Sequence, residues 1–174
     1  MAQVMKYFEH PTTYNWSNMP ANYGTTTTAN FINDIHNEIS TMYDGVPNPL
    51  SYYCNSTGVS SGANMGSVLR HDFNYTSADW SNYYYPTVVN NIDNGKPVIL
   101  SGSNSSSGHM WVCDGYKDID YYFEDCTGIG YLYLHMNWSW NTAYTNYNGW
   151  FAFNNFNPIN SYNSNKKMIY NITP

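Results

Sequence analysis

Apolar residues recur at three- and four-residue steps in the first half of the chain and in short, alternating bursts in the second. Met1, Val4, Met5 and Phe8 fall on one stripe, which predicts an amphipathic helix over residues 1–8. Phe31, Ile35, Ile39 and Met42 repeat in the same way and predict a helix from Asn30 to Tyr43, with Asn30 as a candidate N-cap and Gly45 just past the end. Shorter helical signals lie at Met65 to Phe73 and at Pro86 to Asp93.

From Pro97 onward the runs become β-branched and aromatic, punctuated by Gly, Asn and Asp. Strands are predicted at Pro97 to Ser101, His109 to Gly115, Tyr121 to Asp125, Gly130 to Asn137 and Gly149 to Asn154. Connections this short favour antiparallel neighbours over crossover units. The reading is therefore α+β, with helices in the first half followed by a twisted antiparallel sheet. The Ser- and Gly-rich stretch from Ser101 to Gly108 reads as a mobile loop between two strands that need each other.

With 174 residues, 42% hydrophobic and 18% aromatic, the chain has enough apolar surface to fold as one domain over residues 1–174. Six Lys and Arg against twelve Asp and Glu give a net charge of −6, so no basic field exists to neutralise a phosphate backbone and nucleic acid is excluded as a partner. No apolar run approaches the length of a membrane span. No secretory signal opens the chain, since residues 1–8 read as the interior of a helix.

Three cysteines, Cys54, Cys113 and Cys126, lack any C-x-x-C spacing, and five histidines form no HExxH pair, so neither a zinc site nor any other cofactor is indicated. None of the three cysteines begins a helix, where a thiolate is stabilised, and all three read as small buried hydrophobes. His10 and His71 read as surface groups near helix ends, and His36 as a boundary residue beside an apolar stripe.

His109 differs because it opens a strand directly after the Gly-rich loop, which gives an imidazole both a fixed mount and access. That context fits a strand-capping histidine as well as a catalytic one. A second cluster, His135-Met136-Asn137-Trp138-Ser139-Trp140, ends a strand. There an Asn carbonyl could fix an imidazole tautomer while an indole keeps water away, but such a cluster taken alone is more often aromatic core with a turn Asn.

Four stretches together carry a resemblance to a known family. They are Ala2 to Tyr7; Ser51-Tyr52-Tyr53-Cys54 with Ser61-Gly62-Ala63; Gly95 to Ile99 through Gly108-His109-Met110-Trp111-Val112-Cys113-Asp114-Gly115-Tyr116; and His135 to Trp140 with Asn148-Gly149-Trp150-Phe151 and Asn157-Pro158. The chain resembles the streptopain-type secreted cysteine peptidases, a bacterial branch of the papain-like superfamily, over nearly its whole length. The resemblance implies a papain-like fold and an extracellular protein that hydrolyses protein or peptide substrates. It makes His109 the general acid/base, Asn137 its orienting partner and Trp138 the ring beside them.

The chain departs from the family in two places. The family's nucleophilic cysteine lies a few residues ahead of the position of Met1, so the resemblance implies a form lacking its nucleophile, with a pro-segment and first strand upstream in a longer gene product. Such a chain is expected to be inactive by itself; the alternative is a non-catalytic secreted module that keeps the fold for binding. Ser139 and Asn141 stand where the family usually shows glycines, which puts the turn after Trp138 in question.

Overall fold

The computed structural model describes residues 1–41, 50–53, 56–60, 63–140 and 147–174. Cys54 and Asn141, both singled out from the sequence, lie outside the described residues, as do Met42, Tyr43 and Gly45. Among the described residues, four α-helices and a six-stranded antiparallel sheet confirm the α+β class. The chain divides into two compact units, residues 1–80 with 172–174, and residues 81–171.

The described residues of the first unit form the helices α1 (Ala2–Phe8), α2 (Thr26–Ser40) and α3 (Met65–His71). Helix α2 buries Phe31, Ile35 and Ile39 as the stripe predicts, but it starts earlier than Asn30. Its cap is Thr25, whose hydroxyl accepts from the Thr28 N–H at 3.1 Å, so a side chain able to satisfy an orphan donor sets the boundary. Asn64 caps α3 in the same manner, accepting from the Gly66 N–H at 3.0 Å.

The α2 stripe packs against rings that precede it: Trp16 meets Phe31 edge to face at 5.0 Å, and Tyr14 meets Phe31 at 4.8 Å. His10 is more than a surface group. Its ring meets Tyr75 at 4.7 Å and its Nε2 donates to the Phe73 carbonyl at 3.0 Å. A short hairpin, β1 (Leu50–Tyr53) with β2 (Ser56–Val59), was not expected from the sequence.

The larger sheet runs in the order β3 (Ser77–Asn82), β8 (Ser164–Thr173), β4 (Val98–Ser103), β5 (Gly108–Tyr122), β6 (Gly128–Asn137), β7 (Gly149–Ala152). Within the second unit, α4 (Tyr85–Asp93) packs on β4 and β5. Val88 of that helix joins Leu100, Trp111, Cys113, Leu134, Met136 and Trp138 in one core cluster. Trp111 and Trp138 are fully buried. Each withdraws on the order of 200 Å² from water, which at about 25 cal/mol per Å² is near 5 kcal/mol per ring before ordering costs.

Two sequence expectations change. The predicted strands His109 to Gly115 and Tyr121 to Asp125 are parts of one long β5 and the turn after it, because Asp125 accepts from both the N–H and the hydroxyl of Thr127 and closes a hairpin there. The Ser-rich stretch is not a long loop: Gly102 and Ser103 remain in β4, and Asn104 closes the turn by accepting from the Ser106 and Ser107 N–H groups at 2.9 and 2.7 Å. Among the described residues no helix is long and apolar enough to cross a membrane.

Candidate active site

The β4–β5 hairpin carries His109 at its closed end, paired with Gly102 on β4. Gly102 is a steric requirement, since a Cβ there would lie 2.0 Å from the Tyr162 carbonyl oxygen. The close approach brings the segment before β8 onto the hairpin, and the Tyr162 ring stands 5.6 Å from the imidazole. Trp140 at 5.2 Å, Trp138 at 6.2 Å and Trp111 at 6.3 Å complete an aromatic surround.

The imidazole has one fixed hydrogen bond. Nε2 lies 2.8 Å from the main-chain carbonyl of Trp138, and because a carbonyl only accepts, the proton resides on Nε2. In the neutral ring Nδ1 then carries the lone pair. Burial pushes the His109 pKa below its ordinary 6.5, and the carbonyl, which favours the imidazolium, only partly opposes that. The group is thus a neutral base with a set tautomer, half-buried at the end of a strand.

The carbonyl is held by the turn that follows β6. Trp138 donates its N–H to Asn148 Oδ1 at 2.9 Å, and Ser139 donates its N–H to Asn137 Oδ1 at 3.1 Å. Ser139 takes φ 59, the left-handed region that glycine enters at less cost. The serine holds this left-handed conformation with its N–H bonded to Asn137.

Asn137 was expected to orient His109 directly; the bond observed on Nε2 goes instead to the Trp138 carbonyl, while the Asn137 carboxamide serves the turn. Strand pleating accounts for the difference. Met136 pairs with Cys113 and both are buried in the core, whereas Asn137 pairs with Val112 on the alternate side. His109 is in step with Trp111 and Cys113, so the two side chains leave their strands toward opposite faces. His109 and Trp138 lie ring against ring at 21°.

Sequence reasoning passed over Asn148 and Tyr162 as site residues. Asn148 carried a signal, because an Asn before Gly149 is a turn residue with a carboxamide free to cap a neighbouring strand end. Tyr162 carried none, being far from His109 in sequence.

The described cysteines do not supply a nucleophile beside His109. Cys113 lies four residues along the same strand, roughly 13 Å away at the usual rise, and burial pushes its thiol up to about 12. Cys126 sits exposed in the β5–β6 turn, past the end of β5 opposite His109. His135 pairs with Asp114 at 2.5 Å on the side of the sheet away from the core. Among the described residues no three His, Cys, Asp or Glu side chains converge as metal ligands.

Comparison with known proteins adds two findings. A model of the peptidase C10 family matches residues 12–151, most of the chain. The fold is similar to that of a fragment of prointerpain A from Prevotella intermedia, with 21% identity and a TM-score of 0.65, over 99% of this chain. The chain spans 61% of the length of that fragment. No curated protein sequence matches it.

Proposed function

The chain belongs to the peptidase C10 family, and from that premise we propose that it is the histidine-bearing part of a secreted cysteine endopeptidase. The observation that carries the reading is the His109 imidazole fixed through Nε2 on the Trp138 carbonyl, which leaves Nδ1 as the proton acceptor. The nucleophile would come from the cysteine that the resemblance places ahead of Met1, and a pro-segment would precede it. By itself the 174-residue chain would not hydrolyse peptides.

In the intact protein Nδ1 takes the thiol proton and the sulfur attacks the scissile carbonyl carbon, whose π pair moves onto oxygen. Collapse of the tetrahedral adduct breaks the C–N bond, and Nδ1–H protonates the departing amine. Water then gives a proton to Nδ1 and attacks the thioester, and the thiolate leaves. The Trp138 carbonyl stabilises the imidazolium each time it forms, and the surrounding indoles keep solvent off that bond.

The test reads the codons ahead of Met1 in the same frame and assays the product that includes them. Casein hydrolysis abolished by thiol alkylation and by His109→Ala is expected. A stop codon in place of a cysteine codon, or a folded product without activity, overturns the reading in favour of a non-catalytic module.

A further inference from the structure

Beyond the body of the sheet, β5 and β6 continue alone as a two-stranded ribbon. Strand β4 pairs with β5 only as far as Cys113, and β7 pairs with β6 only over Tyr133–Met136. The ribbon runs from Tyr116 to Tyr122 and back from Gly128 to Leu132. Residues 120–131 are all exposed, including Tyr121, Tyr122, Phe123, Ile129 and Tyr131.

The ribbon is two-faced. Ile119 pairs with Tyr131 and Tyr121 with Ile129, so one face is apolar and aromatic; Tyr121 and Tyr131 meet edge to face on it at 5.8 Å. Asp118 pairs with Leu132, Asp120 with Gly130 and Tyr122 with Gly128, so the other face carries two carboxylates flanked by Leu132 and the Tyr122 ring. No Lys or Pro guards the β6 edge from Gly128 to Leu132, although natural sheets commonly blunt such edges with them.

The hydrogen-bonding groups of that edge point outward. Phe153 donates its N–H to the Leu132 carbonyl at 3.2 Å, so Leu132 turns its polar groups away from β5, and by the two-residue repeat Gly130 and Gly128 do the same. Among the described residues no strand pairs with them on that side. Neither glycine places a side chain beside an incoming strand, and the Asp120 carboxylate lies over Gly130, 2.8 Å from where a Cβ would stand.

We propose that the β6 edge from Gly128 to Tyr131, where the outward groups of Gly128 and Gly130 meet no described strand, is a docking site for an extended polypeptide segment of alternating basic and apolar residues, added to the ribbon as a third strand. Main-chain bonds to Gly128 and Gly130 hold it. Its apolar side chains lengthen the face of Tyr121, Ile129 and Tyr131, and its cations meet Asp118 and Asp120. A second copy of this chain is the poorer occupant, because edge-to-edge pairing of two ribbons brings two Asp120 carboxylates to one seam. The site lies at the end of the hairpin remote from His109, and the proposal is independent of the peptidase reading.

The test uses the full chain and a fluorescein-labelled synthetic peptide of about ten alternating Lys and Val residues, a usual strand length, read by fluorescence anisotropy. Saturable binding is expected, weakened about tenfold or more by alternate N-methylation of the peptide on the edge it presents and by the exposed double substitution Asp118→Lys, Asp120→Lys. Circular dichroism and urea midpoints verify that the variant is folded. Absence of binding, equal binding of the N-methylated peptide, or equal binding to the charge-reversed protein overturns the proposal. So does self-association of the peptide-free chain in sedimentation that the charge reversal alters, which assigns the edge to a second copy.

Discussion

His109 and Trp138 are joined twice: the imidazole Nε2 donates to the Trp138 carbonyl at 2.8 Å, and the two rings lie 6.2 Å apart at 21°. The first contact fixes the tautomer, and the second, with Trp140 and Tyr162, lines the imidazole with aromatic rings. A base arranged in this way has measurable titration properties.

Burial holds the His109 pKa below 6.5, so the folded state resists protonation more than the unfolded state does. Stability from this group is complete above the unfolded value and is lost as pH falls from there through the folded one. Ring ¹⁵N NMR should report the Nε2–H tautomer and a midpoint below 6.5. In urea titrations His109→Phe should lose less stability than the parent on acidification, and parallel profiles for the two would contradict the assignment.

The turn after β6 gives a second test. Ser139 at φ 59 sits where glycine is less strained, so Ser139→Gly should stabilise the protein by about 0.5–1 kcal/mol. Asn137→Ala removes the acceptor for the Ser139 N–H and should cost about 1 kcal/mol. If Asn137 acts through the turn, the double variant Asn137→Ala, Ser139→Gly is less destabilised than the sum of the singles. Additivity would separate Asn137 from the turn. The His109 tautomer should survive in both singles.

Gly102→Ala should be among the most damaging small substitutions in the chain. Its Cβ would meet the Tyr162 carbonyl oxygen at 2.0 Å, a backbone atom that cannot step aside as a flexible side chain would. A loss of about 1–3 kcal/mol is expected from overpacking, with the His109 ring resonances shifted because Tyr162 is displaced. Unchanged ring resonances in a folded Gly102→Ala protein would show that Tyr162 does not govern the imidazole environment.

Alkylation separates the two described cysteines. Cys113 is buried, with its thiol pushed up to about 12, whereas Cys126 is exposed in the β5–β6 turn. Iodoacetamide near neutral pH should label Cys126 in the native protein and reach Cys113 only on unfolding. Peptide mass mapping before and after urea reads the difference, and native labelling of Cys113 would refute its burial.

The sequence was most readable where one periodicity ran over a full element. The stripe of Phe31, Ile35 and Ile39 located α2, and the alternation from Trp111 to Cys113 located the start of β5. Strand β8 was missed although it buries Met168, Ile169 and Ile172, because Asn and Lys neighbours interrupt its pattern. The ends of β5 and of α2 were misplaced where a single polar side chain, Asp125 or Thr25, decided the boundary.

At the candidate site His109 and Trp138 were legible as side chains with chemical character. The acceptor that orients His109 was not, because a peptide carbonyl has no letter of its own in the sequence. Tyr162 was hidden for a different reason, since only the folded chain brings position 162 beside position 109.

The main-chain origin of that acceptor has a consequence for how the site can be lost. No codon change at position 138 deletes the oxygen to which the imidazole is tethered; it can only be moved, by shifting the backbone that Asn148 and Asn137 hold in place. Drift in the residues around the ring would therefore erode the alignment of the base gradually, while the base itself could vanish in one step only through replacement of His109.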